Sequence, residues 1–551
     1  MKKYILAVAT ALMLCASMQA APLKGKVLFL DFSKQVSERG KSSFDIGLGG
    51  ISTGRSTSLL TFEAVLEAAA SDDGIAMIFM RPDRLSAGMA GREEIRTSIE
   101  RFREKSGKRV VAYMEGISLG SLYVASTADL IILNPTADGS FTGIGGTQYF
   151  LKDLLDLLGV KMQLIRHGKY KSAGEMYIRN DISPENRQQY EALYQAIWKT
   201  YAGAIASSRG TTVEHLDELA ENLVLADAPS WKAEGLVDTL MHRDQVEAYL
   251  CSLMGKSKVD DIKRVTVDEY KLPKSHQRNE IAVIYADGSI GSGSEIIGDK
   301  LASTIEEVRA DKNVKAVVFR VNSPGGAVMD SDIIRRAILR LQEEKPVIAS
   351  YGDYAASGGY WISSSAKRIF YSDATLTGSI GVFGMVPSYG GAIKKHLRVN
   401  PVTIGTHSHS DMFSGMRDLD EAELDWNQRQ IESVYTKFLN LVAEGRGMTP
   451  EAVDEIAQGR VWAGADAIGI GLVDEKGTLL DAIKYAAKDA GLSNFKVVCY
   501  PEIKDLTFKS ILKGDTEKLP LVSDNILGSL VLLESVEGPT VMALMESLIE
   551  F

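Results

Sequence analysis

The sequence predicts an α/β fold made of two tandem, duplicated domains, each with a mainly parallel sheet and packed helices. One observation is an internal duplication, because short motifs recur at an offset of 236 to 239 residues. The other is the alternation of short apolar strands with amphipathic helices, which is typical of βαβ units. The matching segments are 75–81 with 314–320, 110–112 with 347–349, 209–212 with 446–449, and 235–238 with 471–474.

The second copy shows the alternation most clearly. Val314–Val321 is apolar and rich in β-branched residues, which predicts a strand buried on both faces. A helix is predicted next, Pro346–Ser350 is the following strand, and a longer helix is predicted around Ile431–Val442. The apolar stripe of the first of these helices consists of Ile334, Ala337, Ile338 and Leu341.

Length and composition indicate a soluble protein of more than one domain. A chain of 551 residues exceeds one ordinary domain, and its 45% hydrophobic and 24% charged residues are typical of globular proteins. The net charge of −10 and the lack of a basic stripe argue against a nucleic-acid partner.

Residues 1–21 are typical of a signal peptide or an N-terminal anchor. Two lysines follow Met1, an apolar stretch runs from Tyr4 to about Ala16, and small residues precede Pro22. We therefore expect an exported protein. The other predicted parts are a first copy at 22–257, a charged linker at 258–278, a second copy at 279–502 and a C-terminal tail at 503–551.

The cysteine and histidine residues do not predict a disulfide framework or a metal site. Loss of the leader leaves Cys251 and Cys499, which are too few for a framework, and both a pair and two free thiols remain open. The segment 407–409, the only histidine cluster, is better explained as a polar loop. We expect no metal and no cofactor.

A glycine-rich turn follows the strand that ends at Val321. Asn322–Gly326 has the sequence NSPGG, and glycines at the carboxyl end of a strand let backbone N–H groups approach a ligand closely. Preformed N–H donors are what an oxyanion hole requires. Taken alone, the segment is better explained as an ordinary turn between a strand and a helix.

Ser357 lies between the strand that ends at Ser350 and a helix predicted from Gly359. A serine at a helix N-terminus is usually a cap, but small residues on both sides leave room for a substrate backbone. The N–H of Gly358 is expected to point in the same direction as that of Gly326. Two adjacent turns therefore supply one candidate nucleophile and two candidate oxyanion donors.

A nucleophilic serine needs a base, and Lys171 is the candidate. No histidine occurs between Ser357 and His396, and the rival base His167 is more often structural. A lysine serves as a base if burial lowers its pKa from about 10.4 towards neutrality. A fall of about 2.5 in the pKa costs roughly 3.4 kcal/mol, which a large fold tolerates.

The two copies differ at the candidate site in a complementary way. In the first copy, residues 86–87 replace the two glycines of the turn and Gly120 replaces Ser357. In the second copy, Ser408 lies opposite Lys171. One site shared by two halves explains this pattern; the alternative is a duplicated scaffold whose differences are drift.

These motifs resemble those of the signal peptide peptidase A family, also called protease IV, in its long duplicated bacterial form. The resemblance covers about residues 25 to 500 and implies a ClpP/crotonase-like fold for both copies. It rests on four segments, namely 170–173 (YKSA), 322–326 (NSPGG), 355–360 (AASGGY) and 376–381 (LTGSIG).

The resemblance also assigns roles to individual residues. It implies that Ser357 is the nucleophile, Lys171 the general base, and Ser379 the residue that orients the lysine amine. Gly326 and Gly358 are expected to form the oxyanion hole. The resemblance further implies a homotetramer at the outer face of the bacterial cytoplasmic membrane, which degrades remnant signal peptides.

We therefore expect a serine endopeptidase with a Ser/Lys dyad, which acts on extended apolar peptides on the periplasmic side of the membrane, either anchored or soluble. One alternative is a crotonase-type acyl-CoA enzyme, which uses the same kind of two-donor oxyanion hole. The export signal argues against it, because CoA is a cytoplasmic cofactor. The other alternative is a non-catalytic peptide-binding scaffold.

Overall fold

The computed structural model describes residues 21–40, 42–47, 50–273, 275–502 and 542–544. The predicted leader lies outside these residues apart from Ala21, and so does the predicted tail apart from Met542–Leu544. Within the described residues, no helix combines the length and the apolar content that a membrane span requires.

The first repeat alternates strands and helices as the sequence predicts. Its strands are β1 (Lys26–Leu30), β2 (Val36–Ser37), β3 (Ser42–Gly47), β4 (Gly50–Arg55), β5 (Thr57–Ser58), β6 (Ile75–Met80), β7 (Arg109–Ile117), β8 (Leu130–Gly139), β9 (Lys161–His167), β10 (Thr239–Leu240) and β11 (Arg264–Thr266). Its helices are α1 (Leu59–Ala70), α2 (Met89–Ser106), α3 (Leu119–Ala125), α4 (Lys152–Leu158), α5 (Glu175–Ile178), α6 (Pro184–Arg209), α7 (Val213–Glu221), α8 (Ala228–Ala233) and α9 (Arg243–Met254).

The second repeat also alternates strands and helices. Its strands are β12 (Glu280–Asp287), β13 (Val314–Ser323), β14 (Gly325–Ala327), β15 (Val347–Ala356), β16 (Arg368–Tyr371), β17 (Leu376–Gly378), β18 (Val382–Ser388), β19 (Val461–Ala463), β20 (Glu475–Lys476) and β21 (Lys496–Tyr500), and β22 (Met542–Leu544) follows in the tail. Its helices are α10 (Gly298–Ala310), α11 (Val328–Gln342), α12 (Gly358–Ser363), α13 (Gly390–Ala392), α14 (Glu421–Arg446), α15 (Pro450–Ile456), α16 (Gly464–Ala467) and α17 (Leu479–Asp489).

The sheet of the first repeat is wholly parallel, in the order β10-β8-β7-β6-β1-β11. Its edge strand β11 lies inside the segment predicted as a linker, 258–278, and pairs with β1 so that Val265 lies opposite Leu28. The sheet of the first domain therefore continues to Thr266. A strand of three residues in a charged segment is too short to show a sequence period, which is why the prediction missed it.

The main sheet of the second repeat has the order β19-β17-β15-β13-β12-β21, and only the β17–β19 pair is antiparallel. The strands β13 and β15 run further than predicted, and their carboxyl ends meet where Ser323 pairs with Ala355. The glycine turn and Ser357 consequently leave the same edge of the sheet. Two tandem α/β domains with mainly parallel sheets and packed helices confirm the predicted fold class.

The duplicated motifs recur because they contact each other in both repeats. The long helices α6 and α14 each end at an arginine followed by a glycine with a left-handed backbone. Arg209 donates to the carbonyl of Gly235 and to Asp238. Arg446 binds Gly471 and Asp474 in the same way. The same contact between the end of the long helix and the later Gly-Leu-Val-Asp motif therefore occurs in both repeats. This explains why both motifs recur at nearly the same offset.

A third sheet joins the two repeats, in the order β14-β22-β18-β9. The strand β9 belongs to the first repeat and pairs antiparallel with β18 of the second, with His167 opposite Val382. This pairing carries the end of β9, and the turn that follows it, to the second repeat. Sequence periodicity gave no indication of this sheet, because its partners lie far apart in the chain.

Buried charges also hold the repeats together. Arg320 of β13 is fully buried and pairs with Glu38 and Glu94 of the first repeat at 2.7 and 2.6 Å. Burial outweighs the attraction of this arginine and raises the pKa of Glu38 to about 7. Glu63 lies in the same interface, where it accepts hydrogen bonds from Thr478 Oγ1 and from the N–H of Leu480.

Candidate active site

Ser357 sits at a strained turn between β15 and α12. Its backbone has φ +54° and ψ −116°, a combination that L-residues rarely adopt, and its N–H donates to the carbonyl of Gly378 at 2.8 Å. The side chain is fully buried. In the first repeat, Ser118 at the start of α3 has an ordinary extended backbone and caps the helix through Ser121. Strain of this kind occurs at functional sites more often than at caps.

Lys171 reaches this serine from the other repeat. It follows the turn after β9, and its side chain is 1% exposed. The Lys171 Nζ lies 2.8 Å from Ser357 Oγ, which is hydrogen-bonding distance. The two segments that the sequence analysis paired, one from each duplicated half, are therefore in direct contact.

Ser379 completes a cluster of three buried side chains. The Lys171 Nζ donates to Ser379 Oγ at 3.0 Å and lies 3.2 Å from the Ser379 carbonyl. Ser379 also has a left-handed backbone, with φ +49°, and its N–H donates to the carbonyl of Arg460 at 2.7 Å. The Lys171 amine therefore lies within hydrogen-bonding distance of Ser357 Oγ and of two oxygens of Ser379.

Backbone contacts fix the position of Lys171. Its carbonyl accepts a hydrogen bond from Arg166 Nη1 at 2.6 Å, and Tyr170 N–H donates to the carbonyl of Gln458 at 2.9 Å. The next residue, Gly459, has φ +79°, and a Cβ there would lie 2.5 Å from the Lys171 Cβ. The sequence did not predict a role for Gly459, because nothing local in its segment indicates a contact with the lysine.

Gly326 and Gly358 lie side by side next to the serine. A Cβ on Gly358 would lie 3.0 Å from the N atom of Gly326, so the two backbones are in van der Waals contact. A Cβ on Gly326, where φ is +153°, would lie 1.9 Å from the carbonyl oxygen of Ile290. This close approach requires glycine at position 326. The backbone N–H of Gly326 is one of the two predicted oxyanion donors.

The rival base His167 does not contact the serine in this arrangement. Its Nδ1 lies 2.7 Å from Glu432 Oε2, and its ring stacks on Tyr435 at 3.8 Å between centroids. Lys169 is directed over the ring of Tyr170, with its Nζ 5.2 Å from the centroid. Of the candidate bases considered, Lys171 is the one that the fold brings to Ser357.

One group of potential metal ligands occurs among the described residues, at His409, Asp420 and Glu423. Glu423 is already engaged by Arg417 at 2.7 Å and accepts the N–H of Asp420 in a helix capping box. Ion pairing and capping account for this group without a metal. Cys251 and Cys499 are both free thiols, so they do not form a disulfide with each other.

Comparison with known proteins identifies the family. Residues 102–256 and 340–493 each match Peptidase family S49, one match in each repeat. The chain is 34% identical to Protease 4 of Salmonella typhi over 524 residues, which cover 90% of this chain and 83% of that protein. It is 34% identical to Protease 4 of Haemophilus influenzae over 446 residues, with 76% and 72% covered.

Two further comparisons concern a plant relative and a solved structure. The chain is 32% identical to the chloroplastic serine protease SPPA of Arabidopsis thaliana over 536 residues, which cover 94% of this chain and 77% of that protein. The solved structure of a ClpP1 mutant from Listeria monocytogenes covers 37% of this chain and 95% of its own, at 15% identity and a TM-score of 0.26. With family matches in both repeats and relatives that span most of its length, the chain belongs to Peptidase family S49, the serine peptidases that include Protease 4.

Proposed function

We propose that this protein is an endopeptidase that works with a Ser/Lys dyad formed between its two repeats. The observation that carries the proposal is the distance of 2.8 Å between Lys171 Nζ and Ser357 Oγ. A nucleophile and its base need to lie within hydrogen-bond reach, and a third group usually orients the base. Ser379, at 3.0 Å from the same amine, suits that third role.

In the proposed reaction, the neutral amine of Lys171 takes the proton of the Ser357 hydroxyl as the oxygen attacks a peptide carbonyl carbon. The N–H groups of Gly326 and Gly358 hold the oxyanion that develops. The amine then gives the proton to the leaving nitrogen, which leaves an acyl group on Ser357. A water molecule that Lys171 deprotonates hydrolyses this acyl group and frees the serine.

The substrate class and the location are further parts of the proposal, and they rest on the family resemblance of the sequence motifs. The substrates are extended apolar peptides, including remnant signal peptides, and the protein acts as a homotetramer on the outer face of the cytoplasmic membrane, anchored or soluble. The leader-like residues 1–21 support export.

The test compares wild type with Ser357→Ala, Lys171→Ala and the matched control Lys169→Ala. We expect the first two variants to lower kcat/KM for casein or an apolar peptide by roughly 10⁴-fold or more. Lys169→Ala should keep its activity, because its amine packs on Tyr170. Thermal unfolding of all four proteins establishes that each is folded.

Each contrary outcome points to a different error. Retained hydrolysis in Ser357→Ala removes that serine from the mechanism, and loss in Lys169→Ala instead of Lys171→Ala moves the base. Peptide binding with no covalent labelling by a fluorophosphonate favours the scaffold alternative. Turnover of acyl-CoA that does not depend on Ser357 favours the crotonase alternative.

A further inference from the structure

A fully buried carboxylate, Glu175, lies beside the turn that carries Lys171 and has no part in the proposed proton transfers. Its Oε1 accepts a hydrogen bond from Arg166 Nη1 at 3.1 Å, and the same nitrogen donates to the carbonyl of Lys171 at 2.6 Å. The backbone N–H of Glu175 donates to the carbonyl of Ser172 at 2.8 Å. Glu175 is therefore joined to the backbone of the candidate base and to that of the residue after it.

The second carboxylate oxygen of Glu175 holds the start of the long helix α6. Oε2 accepts hydrogen bonds from the N–H of Ser183, the N-cap of this helix, at 3.3 Å and from Asn186 Nδ2 at 3.4 Å. Ser183 and Asn186 are both buried. An ionised carboxylate only accepts hydrogen bonds, and its two oxygens serve all three donors here. One side chain thus connects β9, the turn after it and α6.

The same helix reaches the strands that hold Ser357. Gln189 lies one turn after Asn186 on α6, is buried, and accepts the N–H of Val461 through its Oε1 at 2.8 Å. Val461 pairs with Gly378 in the antiparallel contact between β19 and β17. The carbonyl of Gly378 accepts the N–H of Ser357 at 2.8 Å. A set of polar contacts therefore runs from the backbone of the candidate base, through α6, to the backbone of the nucleophile.

Stability alone does not explain the ion pair between Arg166 and Glu175. Removal of charges from water is costly, and a buried ion pair is often no more stable than apolar residues of the same volume. The pair does supply direction, because a planar guanidinium binds its acceptors in a fixed geometry. Lys171 Nζ lies 2.8 Å from Ser357 Oγ, and a displacement of about 1 Å in a reacting group costs on the order of 100-fold in rate. The position of this turn is therefore important for catalysis.

We propose that Glu175 is a positioning residue, which acts through Arg166 and the start of α6 to hold the Lys171 amine within hydrogen-bonding distance of Ser357. This inference rests on the proposed function. Replacement of Glu175 by glutamine leaves one acceptor oxygen in place of two, because an amide nitrogen donates and does not accept. Either Arg166 or the start of α6 then loses its acceptor, and the turn that carries the base shifts.

The rate of fluorophosphonate labelling of Ser357, followed by intact mass, tests the proposal in Glu175→Gln. We expect the rate constant to fall at least about tenfold, while the final extent of labelling stays at that of wild type. Loss of folded protein alone would lower the final extent and leave the rate constant unchanged. Asp238→Asn is the matched control with an unchanged rate constant, because Asp238 also joins an arginine to a backbone N–H but lies outside this set of contacts.

A double-mutant cycle determines whether Glu175 acts through the lysine. In the Lys171→Ala background, Glu175→Gln should not slow labelling further, because the base that it positions is gone. A fall as large as that in the wild-type background overturns the proposal, and so does a Glu175→Gln protein that labels as fast as wild type. If Glu175→Gln does not fold, Arg166→Lys decides the question, because lysine lacks the planar guanidinium. Slow labelling of folded Arg166→Lys supports the proposal, and labelling at the wild-type rate overturns it.

The outcomes separate this inference from the proposed function. A Lys171→Ala protein that labels as fast as wild type overturns the proposed function, and this inference with it. Slow labelling of Lys171→Ala together with wild-type labelling of Glu175→Gln overturns only the positioning role of Glu175.

Discussion

The substitution Gly459→Ala tests whether the position of Lys171 controls activity. A Cβ at this position would lie 2.5 Å from the Lys171 Cβ and 2.6 Å from its backbone N. Ordinary contact starts near 3.4 Å, so the two segments must separate by about 0.9 Å. The neighbouring residue Arg460 holds Ser379 through its carbonyl, so this separation also disturbs the second partner of the lysine amine.

A displacement of about 1 Å in a reacting group costs on the order of 100-fold in rate. We therefore expect kcat for an apolar peptide to fall about 100-fold in Gly459→Ala, with a parallel fall in the rate of fluorophosphonate labelling of Ser357. Gly471→Ala is the matched control, because Gly471 has φ +76° against +79° at Gly459 but meets nothing within 4 Å. Both variants incur the same left-handed strain of roughly 1 to 2 kcal/mol.

The comparison between the two variants isolates the steric effect. Both variants should have a lower melting temperature than wild type. Only Gly459→Ala should lose more activity than its fraction of unfolded protein explains. Equal activity in the two variants would mean that catalysis does not depend on where this loop holds Lys171.

Three further substitutions test the second partner of the lysine amine and the buried charges between the repeats. Ser379→Ala removes one of the bonds to the lysine amine, and we expect kcat to fall about 3- to 10-fold with KM unchanged. Arg320→Leu leaves the carboxylates of Glu38 and Glu94 buried without their cation, which should lower the free energy of unfolding by about 3 to 5 kcal/mol in denaturant titrations. Burial, and then the nearby Glu94, raise the pKa of Glu63 well above its usual 4.5, so Glu63→Gln should be tolerated near neutral pH. The protonated Glu63 carboxyl of wild type stabilises the fold below pH 4.5, and this contribution is lost as the pH rises. The free energy of unfolding of Glu63→Gln should therefore change less with pH than that of wild type.

Each of these predictions has an outcome that contradicts it. A rise in KM without a change in kcat for Ser379→Ala would place this serine in substrate binding instead of in orienting the amine. An Arg320→Leu protein as stable as wild type would mean that water or protonation compensates the two carboxylates. A large loss of stability in Glu63→Gln at pH 7 would mean that Glu63 is ionised in the folded state.

The elements that the sequence predicted correctly are those with a local signal. The apolar runs of β13 and β15 and the stripe of α11 are each visible over fewer than twenty residues, and so is each Arg-Gly motif that ends α6 or α14. The contact between Lys171 and Ser357 was predicted for a different reason, because each repeat lacks the functional residue that the other retains. Duplication thus supplied long-range information that one copy alone does not contain.

The features that the sequence did not predict depend on pairings between distant segments. The sheet that joins β9 to β18 brings together residues more than 200 positions apart, and neither strand has a pattern that identifies its partner. The packing of Gly459 against Lys171 and the burial of Arg320 between Glu38 and Glu94 have the same origin. The strand β11 in the predicted linker was missed because three residues do not establish a period.

The pH dependence of Ser357 acylation tests whether the neutral amine of Lys171 activates this serine. The measurement is the rate of fluorophosphonate labelling between pH 6 and 10, followed by intact mass, in wild type, Lys171→Ala and Lys169→Ala. We expect the rate to rise with pH along one titration in wild type and Lys169→Ala, and to stay low without that titration in Lys171→Ala. A Lys171→Ala protein that labels as fast as wild type, with the same pH profile, would contradict it.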